Sequence, residues 1–381
     1  MFRRAAGIFA GCLLAAACGT PAGLAHTDIP HLAGTKVVFD QALIDPANHQ
    51  LYLADSGQSS IDVFDVAKAS PRFLTSIKVG HPPHGLALAA DLHKVFAGLD
   101  GGGIAVIEAD PGSNGVHRVL TTIQTAAKKN VDLLDYDPED HLLWAAAADD
   151  GMLFKVDAIR NLVVGRLTLL PGLEQPRYDA TEKAVFLPDQ GKNLIYKIDP
   201  ARLAVVAQWN IGVPCAPAGM AIDAKRDVAL IGCLDPAAGH TIAWNLGQGR
   251  LIRTLVDITA ADQVIYDSGT DTFMVAGSSS GTTAIGFFGG SPPAYRNLKL
   301  THADTRAVAY DPSNQVVYTP DAKPGSEGLI SFPLPQRQGQ APPFLAPLLY
   351  LLPLAIVGFI VWYFGRRRQQ ERRAAGRPIY S

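Results

Sequence analysis

Six ionisable residues recur along this chain at nearly constant intervals. Asp40, His84, Asp132, Glu174, Asp262 and Arg306 each stand five residues before an Asp, or its equivalent, in a turn, and Ala218 fills the remaining place in the series. The spacings are 44, 48, 42, 44, 44 and 44 residues. The next position reads Gln41, Gly85, Leu133, Gln175, Gly219, Gln263 and Ala307, which sets three glutamines beside the acids. Four carboxylates and an imidazole brought to one place could hold a divalent cation or supply a general base for ester or lactone hydrolysis. Carboxylates so close raise one another's pKa. The same residues also describe a solvated rim, where Asp caps turns and Arg306 answers a neighbouring acid as a structural ion pair, or a surface on which a protein docks.

No residue is assigned a catalytic role. HExxH and CxxCH are absent, which excludes the common zinc-protease and c-type haem signatures. Gly101-Gly102-Gly103 follows a strand pattern but opens no helix, so it reads as a loop and not as a phosphate cradle. Ser278–Ser280, between Gly277 and Gly281, reads as a loop too. His81 and His84 flank Pro82-Pro83, and only His84 falls on the recurrent position. Cys215 and Cys233 sit at the two ends of a strand, hairpin and strand, which returns them to the same end. A disulfide is expected in an oxidising compartment, with free thiols or a soft-metal pair as alternatives.

The elements that must position these residues are strands. Short runs rich in Val, Ile, Leu, Phe and Tyr are bounded by Gly, Pro, Asp and Asn, and no long segment has a 3.6-residue period. Strand–turn–strand units stand at 42–54, 86–97, 134–145 and 308–319, with fainter copies at 178–187, 221–231 and 265–275. A polar loop, a third strand and usually a fourth follow each. One four-stranded sheet cannot bury both faces, but several packed radially can. The expected fold is all-β, a seven-bladed β-propeller of four-stranded blades. Its last unit lacks a fourth strand, so Thr35–Phe39 is expected to close the ring from the N-terminal side. The recurrent ionisable residues then begin the innermost strands and crowd one end of the central channel. Loops joining second and third strands should bring Asp55, Asp100, Asp149, Asp150, Asp189, Asp235 and Asp321 to that end.

Two motifs carry a resemblance. Asp45-Pro46 with Leu51-Tyr52-Leu53-Ala54-Asp55-Ser56-Gly57, and HPPHGLAL at 81–88, resemble the repeats of the YVTN and NHL β-propeller families, YncE-like proteins among them, over about residues 34–335. The resemblance implies the fold and leaves function open, since those families hold lactonases, binding scaffolds and proteins without known activity. Metal-dependent lactonase propellers place a Glu, an Asn and an Asp at strand starts. Glu174, Asp40 and Asp262 stand at such positions here, while the Asn has no counterpart in the ring and Asn130 is two residues off register.

The two ends carry targeting patterns. Residues 1–25 combine Arg3-Arg4, an apolar run and small residues at Gly23 and Ala25, as a secretory signal peptide does. Cys18 after three alanines is a weak lipoprotein alternative. Residues 344–364 hold 21 uncharged positions, about 30 Å as a helix, and Arg366-Arg367-Arg368 follow. The expected order is signal peptide 1–25, β-propeller 34–335, Pro-rich spacer 336–343, transmembrane helix 344–364 and basic cytoplasmic tail 365–381. The propeller would lie on the extracytoplasmic, periplasmic side of the plasma membrane. Processing of the C-terminal segment as a sorting signal is the alternative. Between His26 and Pro343 the chain has 25 basic and 34 acidic residues, an acidic body that argues against nucleic-acid binding.

The expected function is a membrane-anchored binding module that receives a protein or small ligand at an acidic mouth formed by Asp40, His84, Asp132, Glu174, Asp262 and Arg306. No cofactor is certain, and a divalent cation is the candidate. The alternatives are a metal-dependent lactonase-like hydrolase and an accessory subunit of a membrane redox or transport complex.

Overall fold

The computed structural model describes residues 24–30, 32, 37–68, 70–235, 239–303, 306–335, 362 and 366–367. The chain divides into two units, Met1–Pro335 and Gln336–Ser381. The described part of the first is strands and turns. After β1 (Ala25–Asp28) come four four-stranded antiparallel sheets in chain order. The first is β2 (Phe39–Asp45), β3 (Gln50–Asp55), β4 (Ser60–Asp65) and β5 (Arg72–Lys78). The second is β6 (Pro83–Ala89), β7 (Lys94–Leu99), β8 (Gly103–Glu108) and β9 (Val119–Gln124). The third is β10 (Leu134–Asp137), β11 (Leu142–Ala147), β12 (Met152–Asp157) and β13 (Leu162–Thr168). The fourth is β14 (Arg177–Asp179), β15 (Ala184–Asp189), β16 (Leu194–Asp199) and β17 (Ala204–Asn210).

Two further units follow. One is β18 (Pro217–Asp223), β19 (Val228–Cys233), β20 (His240–Asn245) and β21 (Arg250–Thr259). The other is β22 (Val264–Asp267), β23 (Thr272–Ser279), β24 (Thr282–Gly289) and β25 (Ala294–Leu300). The single pair Thr259↔Ser278 joins them into one eight-stranded sheet. The last sheet takes β26 (Ala309–Asp311), β27 (Val316–Asp321) and β28 (Gly328–Pro333), with β1 antiparallel to β28.

That pairing corrects one expectation. The strand completing the last sheet is Ala25–Asp28, in register from Ala25↔Ser331 to Asp28↔Gly328. Thr35–Phe39 does not do so: residues 35 and 36 lie outside the described residues, Val37 and Val38 are not in a strand, and Phe39 opens β2 opposite Asp55. The β-branched, apolar look of that run comes from burial, since Val37 and Phe39 pack with Ile29 and Leu32 in one cluster.

Ala89 replaces the turn Asp in the second hairpin and Asp223 makes no side-chain cap in the fifth, but the other five hairpins between first and second strands are held by the turn Asp. Its carboxylate accepts backbone N–H groups two and three residues on, as Asp45 does from Ala47 and Asn48, Asp137 from Glu139 and Asp140, and Asp179 from Thr181 and Glu182. The residue ending the turn has positive φ in every copy: His49, His93, His141, Lys183, Asp227, Asp271 and Gln315. His and Asp tolerate this left-handed conformation better than most residues.

Middle strands such as β3 and β4 are buried on both faces, while the outer strand β13 alternates exposed and half-buried. A two-sided core therefore lies between neighbouring sheets. Tyr52 and Ile61 pack with Val95 and Ile107, Trp144 with Val185, and Phe186 with Ile231. Another cluster joins Ala309 and Tyr318 of the last sheet to Leu51 and Leu53 of the first. Burying each such large side chain contributes about 1.5–3 kcal/mol.

Most of the second unit, like residues 1–23, lies outside the described residues, including the expected signal segment with Cys18, the spacer 336–343 and nearly all of the apolar run 344–364. Trp362, Arg366 and Arg367 are helical, and the Arg366 guanidinium lies 5.0 Å from the Trp362 ring centroid. Among the described residues no helix is long and apolar enough to cross a membrane.

Candidate functional site

Asp40 and His84 belong to β2 and β6, and buried Ala218 belongs to β18. Asp132, Glu174 and Asp262 precede their first strands but are already tied to the second: Asp132 N–H donates to the Ala146 carbonyl at 2.8 Å, Glu174 N–H to Pro188 at 3.0 Å, and Asp262 N–H to Ala276 at 3.0 Å. This common register puts the six ionisable side chains at the same end of their sheets. Neighbouring first strands come so close that a side chain is not tolerated everywhere. A Cβ on Gly219 would meet the Asp262 carbonyl oxygen at 1.8 Å, and one on Gly85 would meet that of Asp132 at 2.4 Å.

His84 is the most tightly held member. Its Nδ1 lies 2.9 Å from Asp40 Oδ2 and its Nε2 lies 2.9 Å from Asp100 Oδ1. Burial disfavours the imidazolium, but the hydrogen bond and charge of Asp40, the hydrogen bond to Asp100 and the charge of Asp132 outweigh it and raise the pKa to about 9. At neutral pH the ring is therefore a cation donating from both nitrogens. The acids respond to crowding. Burial, then the charges of Asp132, Asp262, Asp40 and Asp189, pushes Glu174 up to about 9. Burial and Asp40 lead in raising Asp132 to about 7, although His84 opposes them. Asp262 rises to about 6 through burial and Asp40, against Arg306, whose Nε is 3.9 Å away. Glu174 accepts a hydrogen bond from Gln190 Nε2 at 3.0 Å. The Asp132 carboxyl accepts no hydrogen bond among the described residues.

One step further along the strands the three glutamines make a floor. Gln41, Gln175 and Gln263 are buried. Gln41 Nε2 donates to Gln175 Oε1 at 2.7 Å, while Gln41 Oε1 accepts the Leu86 N–H at 3.0 Å. Gln175 Nε2 donates to the Leu134 carbonyl at 2.7 Å. Gln263 donates to the Ala42 carbonyl at 2.9 Å and accepts the N–H groups of Ala42 and Val308 at 3.3 and 3.0 Å. These bonds run between sheets, so the acids stand over a layer that is satisfied by its own cross-links.

Of the loop acids expected at this end, Asp100 joins the ring through His84. Asp149 and Asp189 act at a distance, as charges on Asp132 and Glu174. Asp55, Asp189 and Asp321 are buried and cap their own loops, accepting from the N–H groups of Gln58, Lys192 and Lys323. Asp150 accepts from the N–H groups of Lys128 and Lys129. A short-range preference of Asp for turns explains Asp55, Asp189 and Asp321 better than a ligand does, while Asp150 ties its loop to the neighbouring one. Asp235 bonds through its backbone to Cys215 and Gly239. His81 forms no part of the ring. Asn130 stands beside it, bridged to Asp100.

Cys215 and Cys233 are joined by a disulfide across 18 residues and are buried. Gly277–Gly281 spells G-x-S-x-G with Ser279 at its centre, but the segment is the β23–β24 hairpin. The nucleophile motif requires strand, turn and helix, so no activated serine follows. The Asp40, His84 and Asp132 ligand atoms lie within 4.8 Å of one another, close enough for one metal ion. A doubly donating imidazolium cannot ligate, so a metal would first have to displace one of the two ring protons, which face Asp40 and Asp100 separately.

Sequence reasoning missed a second ring. The residue before each turn Asp, or before Ala89 in the second copy, lies at the opposite end of the first strands and reads Ile44, Leu88, Tyr136, Tyr178, Ile222, Tyr266 and Tyr310. The register that located the acids contains this signal too.

Repeated four-stranded antiparallel sheets that stack on one another, with first strands gathered around a shared polar layer, define a β-propeller. Solved structures agree. The chain is similar to a chain of the structure entitled Mitotic Checkpoint Complex, with 14% identity, 83% of this chain and 95% of that one covered, and a TM-score of 0.65. The WD40 β-propeller domain of Doa1 matches at 10% identity over 78% and 93% of the two chains, with a TM-score of 0.63. U3-55K matches at 13% identity over 80% and 97%, with a TM-score of 0.65. At these identities the likeness establishes fold alone. No protein-family model and no curated protein matches the chain.

Proposed function

We propose that this chain is a membrane-anchored, extracytoplasmic β-propeller that binds a cationic group of a protein partner in its acidic mouth. The observation that carries the reading is Asp132: a half-buried carboxyl, raised to about 7 by burial and neighbouring charge, accepting no hydrogen bond among the described residues and set above the glutamine layer. A ligand cation would take the place of its proton. Seven units closing into a ring is part of the proposal, supported by the β1–β28 pair and by the cluster joining the last sheet to the first. So is kinship with YVTN and NHL repeats, on the motifs quoted above. Export rests on the Arg3-Arg4 and Gly23–Ala25 pattern, with the disulfide as support. Anchorage rests on the uncharged run 344–364, which would also suit an accessory subunit meeting its partner within the membrane.

Calorimetric titration at pH 7 with acetyl-Ala-Lys-Ala-amide, and with its Gln analogue, tests the binding reading. Saturable binding of the Lys peptide with proton release, lost in Asp132→Asn, is expected. Equal behaviour of the two peptides overturns it. The hydrolase reading draws on the Asp40–His84–Asp132 cluster and requires bound metal. A purified chain without stoichiometric Ca, Mn or Zn, and with melting unaffected by added cations, removes it.

A further inference from the structure

We propose a second binding site, for a compact organic ammonium, at the end of the first strands opposite the acidic mouth. A cavity of about 510 Å³ lies there, lined by Tyr136, Tyr178, Tyr266, Tyr310, Arg177 and Asp267 among others, with Gln263 of the glutamine layer in its wall. Such a volume suits a small organic molecule. The four tyrosines occupy the same register position on four different first strands, so the aromatic lining follows from the repeat and from no single loop.

Charge selects the ligand class. Arg177 is already answered: its Nη1 donates to Asp135 Oδ1 at 2.9 Å and its Nε to the Met220 carbonyl at 2.6 Å. Asp135 completes that pair by accepting the Tyr178 N–H at 2.7 Å. Asp267 is different. Its Oδ2 accepts from Thr270 N and Oγ1 at 2.7 and 2.6 Å, and no cation pairs with it among the described residues. The cavity thus holds one uncompensated carboxylate. Three tyrosine hydroxyls are oriented by further acids, Tyr136 by Asp91 at 3.0 Å, Tyr178 by Glu139 at 3.3 Å and Tyr266 by Asp271 at 3.4 Å. Asp271 is itself paired with Arg226 and Arg296, so the charge that disfavours an anion and favours a cation here is that of Asp267. An ammonium with methyl or methylene surface meets aromatic rings, aliphatic walls and a counter-ion together.

The site is separated from the acidic mouth by the glutamine layer, so the two can be lost independently. The test is a titration of the full chain in mild detergent, followed by calorimetry, with choline and with its neutral isostere 3,3-dimethylbutan-1-ol. Choline is expected to bind saturably and at least about 10-fold more tightly than the alcohol, as a desolvated cation–aromatic contact with a counter-ion allows. Asp267→Asn keeps the turn acceptor for Thr270 and should weaken choline by about 10-fold, leaving the alcohol unchanged. Tyr178→Leu should weaken choline as well, and Asp262→Asn at the mouth should not. Absence of saturable choline binding, equal binding of the alcohol, indifference to Asp267→Asn, or loss with Asp262→Asn would each overturn the site.

Discussion

Replacing Glu174 with Gln isolates what crowding at the mouth costs the fold. Glu174 is pushed up to about 9 from an ordinary 4.5, by burial first and then by Asp132, Asp262, Asp40 and Asp189. Between those values the folded protein holds a proton that the unfolded chain has released. Stability contributed by this group is complete below about pH 4.5 and is lost as pH rises towards about 9. At pH 7 the gap of roughly 2.5 pH units, at about 1.36 kcal/mol each, amounts to about 3 kcal/mol. Gln carries no ionisation and keeps the oxygen that accepts from Gln190 Nε2. The variant should therefore be more stable than the parent by about 2–3 kcal/mol at pH 7 and equal to it near pH 4.5. Urea unfolding of the purified chain across pH 4.5–9 measures both. An identical pH slope in parent and variant, or a variant less stable at pH 8, would refute the account of the mouth as a place where carboxylates share too little water.

His84→Gln should destabilise the fold by about 2 kcal/mol at pH 7, because Asp40 and Asp100 lose the cation between them. The difference should shrink at pH 9.5, where the parent imidazole is largely neutral as well, and thermal melts at the two pH values decide. Gly219→Ala should lower stability by about 1–3 kcal/mol, since its Cβ meets a backbone carbonyl that cannot rotate away, and denaturant midpoints report it. Reduction of Cys215–Cys233, or Cys233→Ser, should cost about 3 kcal/mol for a loop of this length, read as a melting shift with and without reductant. Deleting residues 25–28 should lower the melting temperature by exposing the outer edge of β28, and no change would show that β1 contributes nothing to the last sheet.

The repeat was legible because each unit meets the same local demands. An Asp that caps its own turn, apolar runs on either side and polar loops recur at a near-constant period, and all seven hairpins read from the sequence are hairpins in the structure. The site was legible to the extent that register is: a common offset from the turn Asp placed Asp40, His84, Asp132, Glu174, Asp262 and Arg306 at one end. Offset says nothing of side-chain partners. That His84 bridges Asp40 and Asp100, 16 residues further on, depends on a loop returning to a neighbouring strand. Asp55 and Asp189 looked like members of the mouth for want of the same information.

By itself, then, the order of residues determined the strands, the hairpins and which residue begins each first strand, because those follow from periodicity and from turn chemistry within a few residues. Tertiary structure decided what depends on contacts between distant segments. Ala25–Asp28 lies against Gly328–Pro333, some 300 residues away, and nothing local distinguishes it from Thr35–Phe39 as the closing strand. Gln41 and Gln175 meet across 134 residues and link the first strands of two sheets into a floor beneath the acids. Burial between sheets, set by that packing, is what raises Glu174 and Asp132 and makes the mouth acidic in position yet partly protonated at neutral pH.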